Sequence, residues 1–223
     1  GVYPGVTNSF FSLNGSIYPK KSKVLVRMGP TLDLALSNIP NGTITDKTAS
    51  LGYNFNLLNT SFLSLQYNYV FVELTNSFNP INASEFTNFL PGEQYDWNGF
   101  SFNYQSNQRK VFRYNFGLMK GGFYNGENLN FNGEVNFRYQ PYGSVSLRFD
   151  YNDLQLPGNY GKEKLFVVSP RFDLTLTNKI FLTTFVQYNT LLDNVNLNAR
   201  FQWRYKPASD FFVVYTENYL PAT

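Results

Sequence analysis

The stretch Ser144-Val-Ser-Leu-Arg-Phe-Asp-Tyr151 decides the fold class. Successive side chains of a β-strand point to opposite faces, so this stretch has two very different sides. One side carries Val145, Leu147, Phe149 and Tyr151, and the other carries Ser146, Arg148 and Asp150. The pattern predicts a strand with one apolar and one polar face.

The same alternation recurs along the chain, most clearly at 129–139 and at 196–205. No segment fits a helical period as well. We therefore predict an all-β, antiparallel fold of about twelve strands. The predicted strands are 7–19, 24–38, 47–59, 61–74, 95–107, 109–122, 128–140, 144–154, 164–177, 180–190, 196–206 and 211–219.

Strand length and composition together favour an antiparallel transmembrane β-barrel, with residues 1–223 forming a single barrel domain. Most predicted strands exceed the five or six residues usual in soluble sheets, and about ten tilted residues cross a bilayer. Aromatic residues make up 19% of the chain, and barrels use them on the lipid face and at both interfaces. A soluble antiparallel β-sandwich also has strands in which apolar and polar side chains alternate, and it is the rival fold.

The composition removes several classes of function. The chain has no Cys and no His, so thiolate metal sites and the usual general base are absent. The net charge of +3 is small and its basic residues are scattered, which predicts no nucleic-acid partner. The nearest candidate for a catalytic acid and base is the pair Glu134 and Asp150. Carboxylates that lie among arginines are more often ion-pair partners than catalytic groups. We expect no cofactor, no metal and no enzymatic activity.

The predicted connections alternate between short and long. Longer connections are expected at 39–46, 75–94, 123–127, 155–163 and 191–195. Outer-membrane barrels have short periplasmic turns and longer external loops, so the short set is expected to face the periplasm. Both the first and the last strand would then have their terminal ends outside. We expect the chain to be processed or partial, from a barrel of at least about 14 strands.

Charged residues follow the two-faced pattern. Lysines lie mostly at turns and strand ends, whereas arginines lie within strands on the polar side, because a cation on the lipid face costs about 2–4 kcal/mol at the midplane. The predicted lumen-lining residues are Arg27, Asp33, Arg113, Glu134, Arg138, Arg148, Asp150, Arg171, Asp173, Arg200 and Arg204. They either set the selectivity of a pore or form an ion-pair network that fills the interior.

Aromatic residues near predicted strand ends suggest an interfacial girdle, with a sugar-stacking platform as the alternative. They are Tyr95, Trp97, Tyr104, Tyr114, Tyr124, Tyr139, Tyr188, Trp203, Tyr205, Tyr215 and Tyr219. The connection 75–94 is unusually apolar for an external loop. It is expected to fold into the lumen, cap the mouth or dock a partner, and docking a partner or packing on the chain itself is favoured over binding a ligand.

Two prolines interrupt predicted strands. Pro30 and Pro170 each lack the N–H that a strand donates to its neighbour. We predict a β-bulge at each position.

The segment Asn196 to Tyr219, NLNARFQWRYKPASDFFVVYTENY, with Phe181-Leu-Thr-Thr-Phe-Val-Gln-Tyr-Asn before it, resembles one protein family. It is similar to the carboxy-terminal barrel of Bacteroidota outer-membrane proteins that carry a family-nine-like carbohydrate-binding domain before a barrel of unknown function. The present chain lacks that domain, and family members continue beyond the position of Thr223. The resemblance implies a membrane anchor or channel attached to a glycan-binding module, and it assigns no functional residues.

These inferences lead to two functional hypotheses. The first is an outer-membrane channel or transport component with a mixed-charge lumen. The second is a structural anchor or accessory subunit of a larger envelope complex. The expected partners are membrane lipid and lipopolysaccharide, other outer-membrane proteins, and glycan through a separate domain. The expected location is the bacterial outer membrane.

Overall fold

A computed structural model describes residues 5–81, 86–191 and 193–220. The chain is all-β, with twelve antiparallel strands in one sheet, ordered as they occur in the sequence. The strands are β1 (Thr7–Asn14), β2 (Leu25–Asn38), β3 (Ile44–Leu57), β4 (Phe62–Glu73), β5 (Gln94–Gln105), β6 (Phe112–Phe123), β7 (Gly126–Tyr139), β8 (Gly143–Gln155), β9 (Lys162–Thr177), β10 (Ile180–Asn189), β11 (Asn194–Lys206) and β12 (Ser209–Tyr219). The edge strands of this sheet are β1 and β12.

The predicted all-β class and its twelve strands are confirmed, and most boundaries agree within a few residues. The largest difference lies in β1, which was expected to reach residue 19 but ends at Asn14. The backbone of Gly15 crosses very close to Gly29, and a Cβ atom on Gly29 would overlap the Gly15 carbonyl. The regular ladder stops there, and an isolated bridge between Ile17 and Met28 follows.

The predicted bulge at Pro30 is wrong, and the one predicted at Pro170 is absent from the pairing of β9 with β10. Pro30 pairs with Tyr53 without a register shift, and the register of β9 against β10 is unchanged across Pro170. The carbonyl of Pro30 accepts a 2.8 Å hydrogen bond from the Gly15 N–H, so its nitrogen also points toward β1. Because β1 ends at Asn14, little ladder is lost at this position.

The connections alternate less regularly than expected. The longest of them, residues 74–93 between β4 and β5, matches the prediction. The expected loop at 123–127 is instead a two-residue turn, Tyr124-Asn125. Tyr124 adopts a left-handed conformation, φ 54°, which makes such a tight turn possible.

The chain divides into two compact units. The first comprises residues 5–81, 86–105, 117–130 and 152–164 of the described chain. The second comprises 106–116, 131–151, 165–191 and 193–220. The prediction of one domain over 1–223 stays a prediction.

In the first unit, the strand register separates two chemically distinct faces. Leu51 lies opposite Tyr67, and Tyr67 lies opposite Phe100, so the three share one face. Ser50 lies opposite Asn68 on the other face. We call these sides the apolar face and the polar face. Leu51 and Phe100 are 60% and 67% exposed, although both are large and apolar.

In the second unit, β7 repeats this arrangement. In β7, Phe137 and Tyr139 are exposed on the apolar face, whereas Arg138 is half-buried and Asn136 is buried on the polar face. In β11, Trp203 of the apolar face is exposed, and so are Arg200 and Arg204 of the polar face. Along β4, β5 and β7, burial runs opposite to that of a water-soluble sheet, in which apolar side chains are covered and polar ones are exposed.

Helical structure is confined to one short 3-10 turn, Gly158–Tyr160, among the described residues. Over residues 5–81, 86–191 and 193–220, no helix is both long and apolar enough to cross a lipid bilayer.

Candidate functional site

Three ion pairs lie on the polar face of the second unit. Glu134 of β7 accepts a 3.0 Å hydrogen bond from Arg148 of β8. Arg171 binds Asp173 through two hydrogen bonds, of 2.8 and 3.0 Å, within β9. The third pair, Arg204 with Asp210, joins the ends of β11 and β12 at 3.1 Å. The charged lining predicted from the sequence is thus partly neutralised by close pairing.

Asp173 is the most extensively bonded of these carboxylates. Besides its two bonds from Arg171, it accepts a 3.0 Å hydrogen bond from the Thr183 hydroxyl of β10. The strand register accounts for this contact, because Thr183 lies directly opposite Asp173. Asp173 therefore ties the side chains of two adjacent strands together.

The other predicted lining residues make different contacts. Arg113 donates a 3.0 Å hydrogen bond from Nε to Asn136, and Asp33 accepts a 2.6 Å hydrogen bond from Ser12. The guanidinium of Arg200 lies 4.5 Å from the centre of the Phe212 ring. Asp150 lies on the same face of β8 as Arg148, by strand alternation.

The side chains of Arg27 and Arg138 form no ion pair with any residue of the described chain. Arg27 lies opposite Asn56 in the register of β2 and β3. The side-chain nitrogen of Asn56 is buried without a hydrogen-bond acceptor in the described structure. The functional role of all eleven predicted lining residues stays a prediction.

Neutral side chains extend the polar face across the strands of the first unit. Ser50 donates to Asn68 at 2.8 Å, and Asn68 donates to Ser101 at 2.9 Å, which links β3, β4 and β5. Ser37 similarly donates to Asn8 at 2.7 Å. Because these groups satisfy one another, the polar face can be half-buried without a large desolvation cost.

The described residues of the long connection, 74–81 and 86–93, pack against the polar face of the first unit. Phe89 is fully buried, and its ring stacks on Tyr124 at 4.8 Å and on Tyr160 at 4.5 Å between centroids. Tyr95 meets Phe89 edge-on at 5.2 Å. We call this group and its neighbours the aromatic cluster. Its buried apolar members are Leu74, Ile81, Phe89, Leu154 and Leu156.

Backbone hydrogen bonds hold the connection in this position. Phe78 and Phe89 exchange two bonds of 3.0 and 2.8 Å, and the N–H of Thr87 donates to the Asn159 carbonyl at 2.9 Å. The connection therefore packs on the chain itself, one of the outcomes expected from its apolar sequence. Residues 82–85 of the predicted loop lie outside the described residues.

The girdle interpretation is wrong for three aromatic residues. Tyr95, Trp97 and Tyr124 pack in or against the aromatic cluster, with Trp97 only 5.1 Å from Tyr124. Strand register places Trp97 opposite Val70, on the same face of the sheet as Asn68. The reason is the apolar connection 74–93, which supplies rings for these side chains to contact.

The predicted lining set omits three residues that bind its members. They are Asn136, Thr183 and Asp210, of which alternation places Asn136 on the polar side of its strand. The sequence holds one signal for the pair Arg204 and Asp210. The two residues flank the short Pro207-Ala208 turn, which brings adjacent strand ends together. Phe181 also lies on the polar face, and its ring centroid is 5.8 Å from the guanidinium of Arg204.

We expect the carboxylates on the polar face to contribute unequally to stability. Asp173→Asn is expected to lower the free energy of unfolding by about 1 kcal/mol, because three hydrogen bonds weaken at a half-exposed site. Glu134→Gln removes one exposed ion pair. It is expected to lower the free energy of unfolding by an amount in the lower part of the range of roughly 0.2–1 kcal/mol. Urea unfolding in lipid vesicles measures both variants. A larger loss in Glu134→Gln than in Asp173→Asn would contradict this ranking.

Comparisons with protein families, with curated proteins and with solved structures return no match to this chain. The resemblance of residues 181–219 to a Bacteroidota barrel family therefore stays a prediction. Within the described part of the chain, no three Asp or Glu residues come together as a metal-binding group.

Proposed function

We propose that this chain is an outer-membrane β-barrel protein that acts as a channel or transport component. The observation that carries the proposal is the inverted burial along β4, β5 and β7. Large apolar side chains are exposed on one face, and hydrogen-bonded polar side chains are half-buried on the other. This distribution suits a sheet with lipid on one side and water on the other.

The exposed apolar side chains would gain free energy by leaving water. Moving one Leu or Phe side chain out of water contributes about 1.5–3 kcal/mol. Leu51, Tyr67 and Phe100 form one exposed row, and Leu65 and Leu118 line the same hollow, of about 630 Å³. In water this surface would favour aggregation, whereas acyl chains would cover it. A membrane would therefore stabilise this surface.

The polar face supports the channel role. Its arginines and carboxylates are unfavourable in contact with lipid but stable beside water. Pairing of both signs, as between Arg148 and Glu134, favours a lining of mixed charge over one of a single sign. We therefore propose that Arg27, Asp33, Arg113, Glu134, Arg138, Arg148, Asp150, Arg171, Asp173, Arg200 and Arg204 face the aqueous interior.

A second function, that of a structural anchor or accessory subunit, is favoured by the aromatic cluster. The connection 74–93 covers part of the polar face with buried apolar side chains. Such packing would narrow an aqueous interior at this end. The lipid face and the loops would then serve to bind other envelope proteins.

We expect the full chain to partition with detergent rather than with water, because its apolar surface needs an amphipathic cover. Its reconstitution into planar lipid bilayers is expected to give steady conductance steps. The measurement is single-channel current in symmetric salt, with protein-free detergent as the control.

The two readouts separate the competing functions. Silent bilayers together with envelope proteins that co-purify stably would favour the accessory role. Recovery of the folded chain in the aqueous fraction without detergent would contradict a membrane location and favour a soluble sandwich.

A further inference from the structure

A cavity of about 920 Å³ opens beside the aromatic cluster in the first unit. Its walls are formed by strand ends of β1, β2, β3 and β4, by the turn after β2 and by the first residues of the connection 74–93. The side chains that matter for binding are Asn8, Asp46, Glu73, Asn76, Phe78 and Tyr124. Its volume lies within the range of sites for small organic ligands.

Two aromatic rings form one wall of this cavity. The centroids of Phe78 and Tyr124 lie 5.5 Å apart, with 38° between the ring planes. Backbone bonds to Phe89 fix Phe78, and stacking on the Phe89 ring fixes Tyr124. The rings are thus positioned before any ligand arrives, which lowers the entropic cost of binding.

Hydrogen-bonding groups line the other walls. Asp46 accepts a 2.8 Å bond from Thr45 at Oδ2, and Asn8 accepts a 2.7 Å bond from Ser37 at Oδ1. The amide nitrogen of Asn8 can donate, and the carboxylate of Asp46 can accept additional bonds. Burial, followed by the negative charge of Asp46, raises the pKa of Tyr124. Its hydroxyl therefore remains protonated at neutral pH and can donate.

The charge of the lining narrows the class of ligand. No Lys or Arg lies among the described lining residues, whereas Asp46 and Glu73 do, so an anion is disfavoured. Glu73 already accepts a 2.8 Å bond from Gln94. Amides and hydroxyls, from Asn8, Ser37, Thr45, Thr75, Asn76 and Ser77, outnumber the two carboxylates. This balance favours a neutral ligand rich in hydroxyl groups over an organic cation.

We propose that this cavity binds a neutral saccharide, with its C–H face on Phe78 and Tyr124 and its hydroxyls on Asp46 and Asn8. Aromatic rings offer an electron-rich face to such C–H groups, and amides and carboxylates satisfy the hydroxyls. The site does not depend on whether the sheet conducts ions. Binding and conductance can therefore fail independently.

The experiment uses tryptophan emission from the full chain in detergent micelles. The chain has two Trp residues, so Trp203→Phe leaves Trp97, which lies 5.1 Å from Tyr124, as the reporter. The probes are neutral trisaccharides of glucose, mannose, galactose and xylose, with trigalacturonate and tetramethylammonium as charged comparisons. At least one neutral trisaccharide is expected to change the emission saturably, with affinity at least tenfold above that for trigalacturonate.

Matched variants locate the site. Asp46→Asn keeps the side-chain size and is expected to weaken saccharide binding about tenfold, through loss of a charged acceptor. Phe78→Ala is expected to weaken it at least as much. The controls Asp193→Asn and Phe10→Ala lie outside the cavity and are expected to stay within twofold of the parent chain. Equal losses in variants and controls would overturn the proposal, as would binding of tetramethylammonium alone or of no neutral trisaccharide.

Discussion

Phe89→Ala is expected to cost about 3–5 kcal/mol of local stability, the largest effect of any single substitution proposed for this chain. The Phe89 side chain is fully buried and stacks on both Tyr124 and Tyr160. Its truncation leaves a cavity where the connection 74–93 meets the 3-10 turn. We expect this connection to detach while the strand ladder persists, because ladder hydrogen bonds do not depend on it.

Hydrogen exchange measures this effect directly. Amides of Phe78 and Phe89, which bond to each other, are expected to exchange about 100-fold faster or more in Phe89→Ala. Leu90→Ala is the matched control, since the neighbouring Leu90 side chain is 56% exposed and little contact is lost. Equal protection in both variants would show that Phe89 does not hold the connection.

The same variant distinguishes the two proposed functions. If the docked connection narrows an aqueous interior, Phe89→Ala is expected to raise single-channel conductance relative to Leu90→Ala. Unchanged conductance with faster exchange would show that the connection moves without obstructing a pore.

Phe100→Arg is expected to destabilise the membrane-inserted chain by about 2–4 kcal/mol, the second largest effect. Phe100 lies in the middle of β5, is 67% exposed and stands on the apolar face beside Tyr67. An arginine there would place a guanidinium in hydrocarbon. Denaturant titration of the chain in lipid vesicles measures the loss.

Gln66→Arg provides the matched control for this substitution. Gln66 lies opposite Ser101, one residue from Phe100 in the ladder, but on the polar face. The two arginines would therefore lie at a similar depth with opposite orientation. We expect Gln66→Arg to cost less than about 1 kcal/mol. Similar losses for both variants would contradict the assignment of the faces.

The strand architecture follows from local chemistry, which explains how it could be predicted. In β7, alternation places Phe137 and Tyr139 on one face and Arg138 on the other. This follows from strand geometry alone and does not depend on contacts with other strands. The same logic placed the eleven charged residues on one side. Their specific partners depend on register between strands, which alternation alone does not determine.

The aromatic cluster could not be predicted because it depends on contacts distant in sequence. Phe89, Tyr124 and Tyr160 come from three separate connections and meet only after the strands have paired. Tyr124 also adopts a left-handed backbone, a conformation that tyrosine rarely takes. The sequence around Tyr124 therefore predicted a longer loop at 123–127 and an interfacial position for the tyrosine ring. The tertiary contacts override both predictions.

The most direct test of the membrane proposal is accessibility along β4. The chain has no Cys, so single cysteines at Leu65, Gln66 and Tyr67 can each carry a nitroxide label. In lipid vesicles, we predict that oxygen, which concentrates in hydrocarbon, relaxes labels 65 and 67 most. A water-soluble nickel chelate is predicted to relax label 66 most. The reverse order, or equal access of the chelate to all three, would contradict lipid contact by the apolar face.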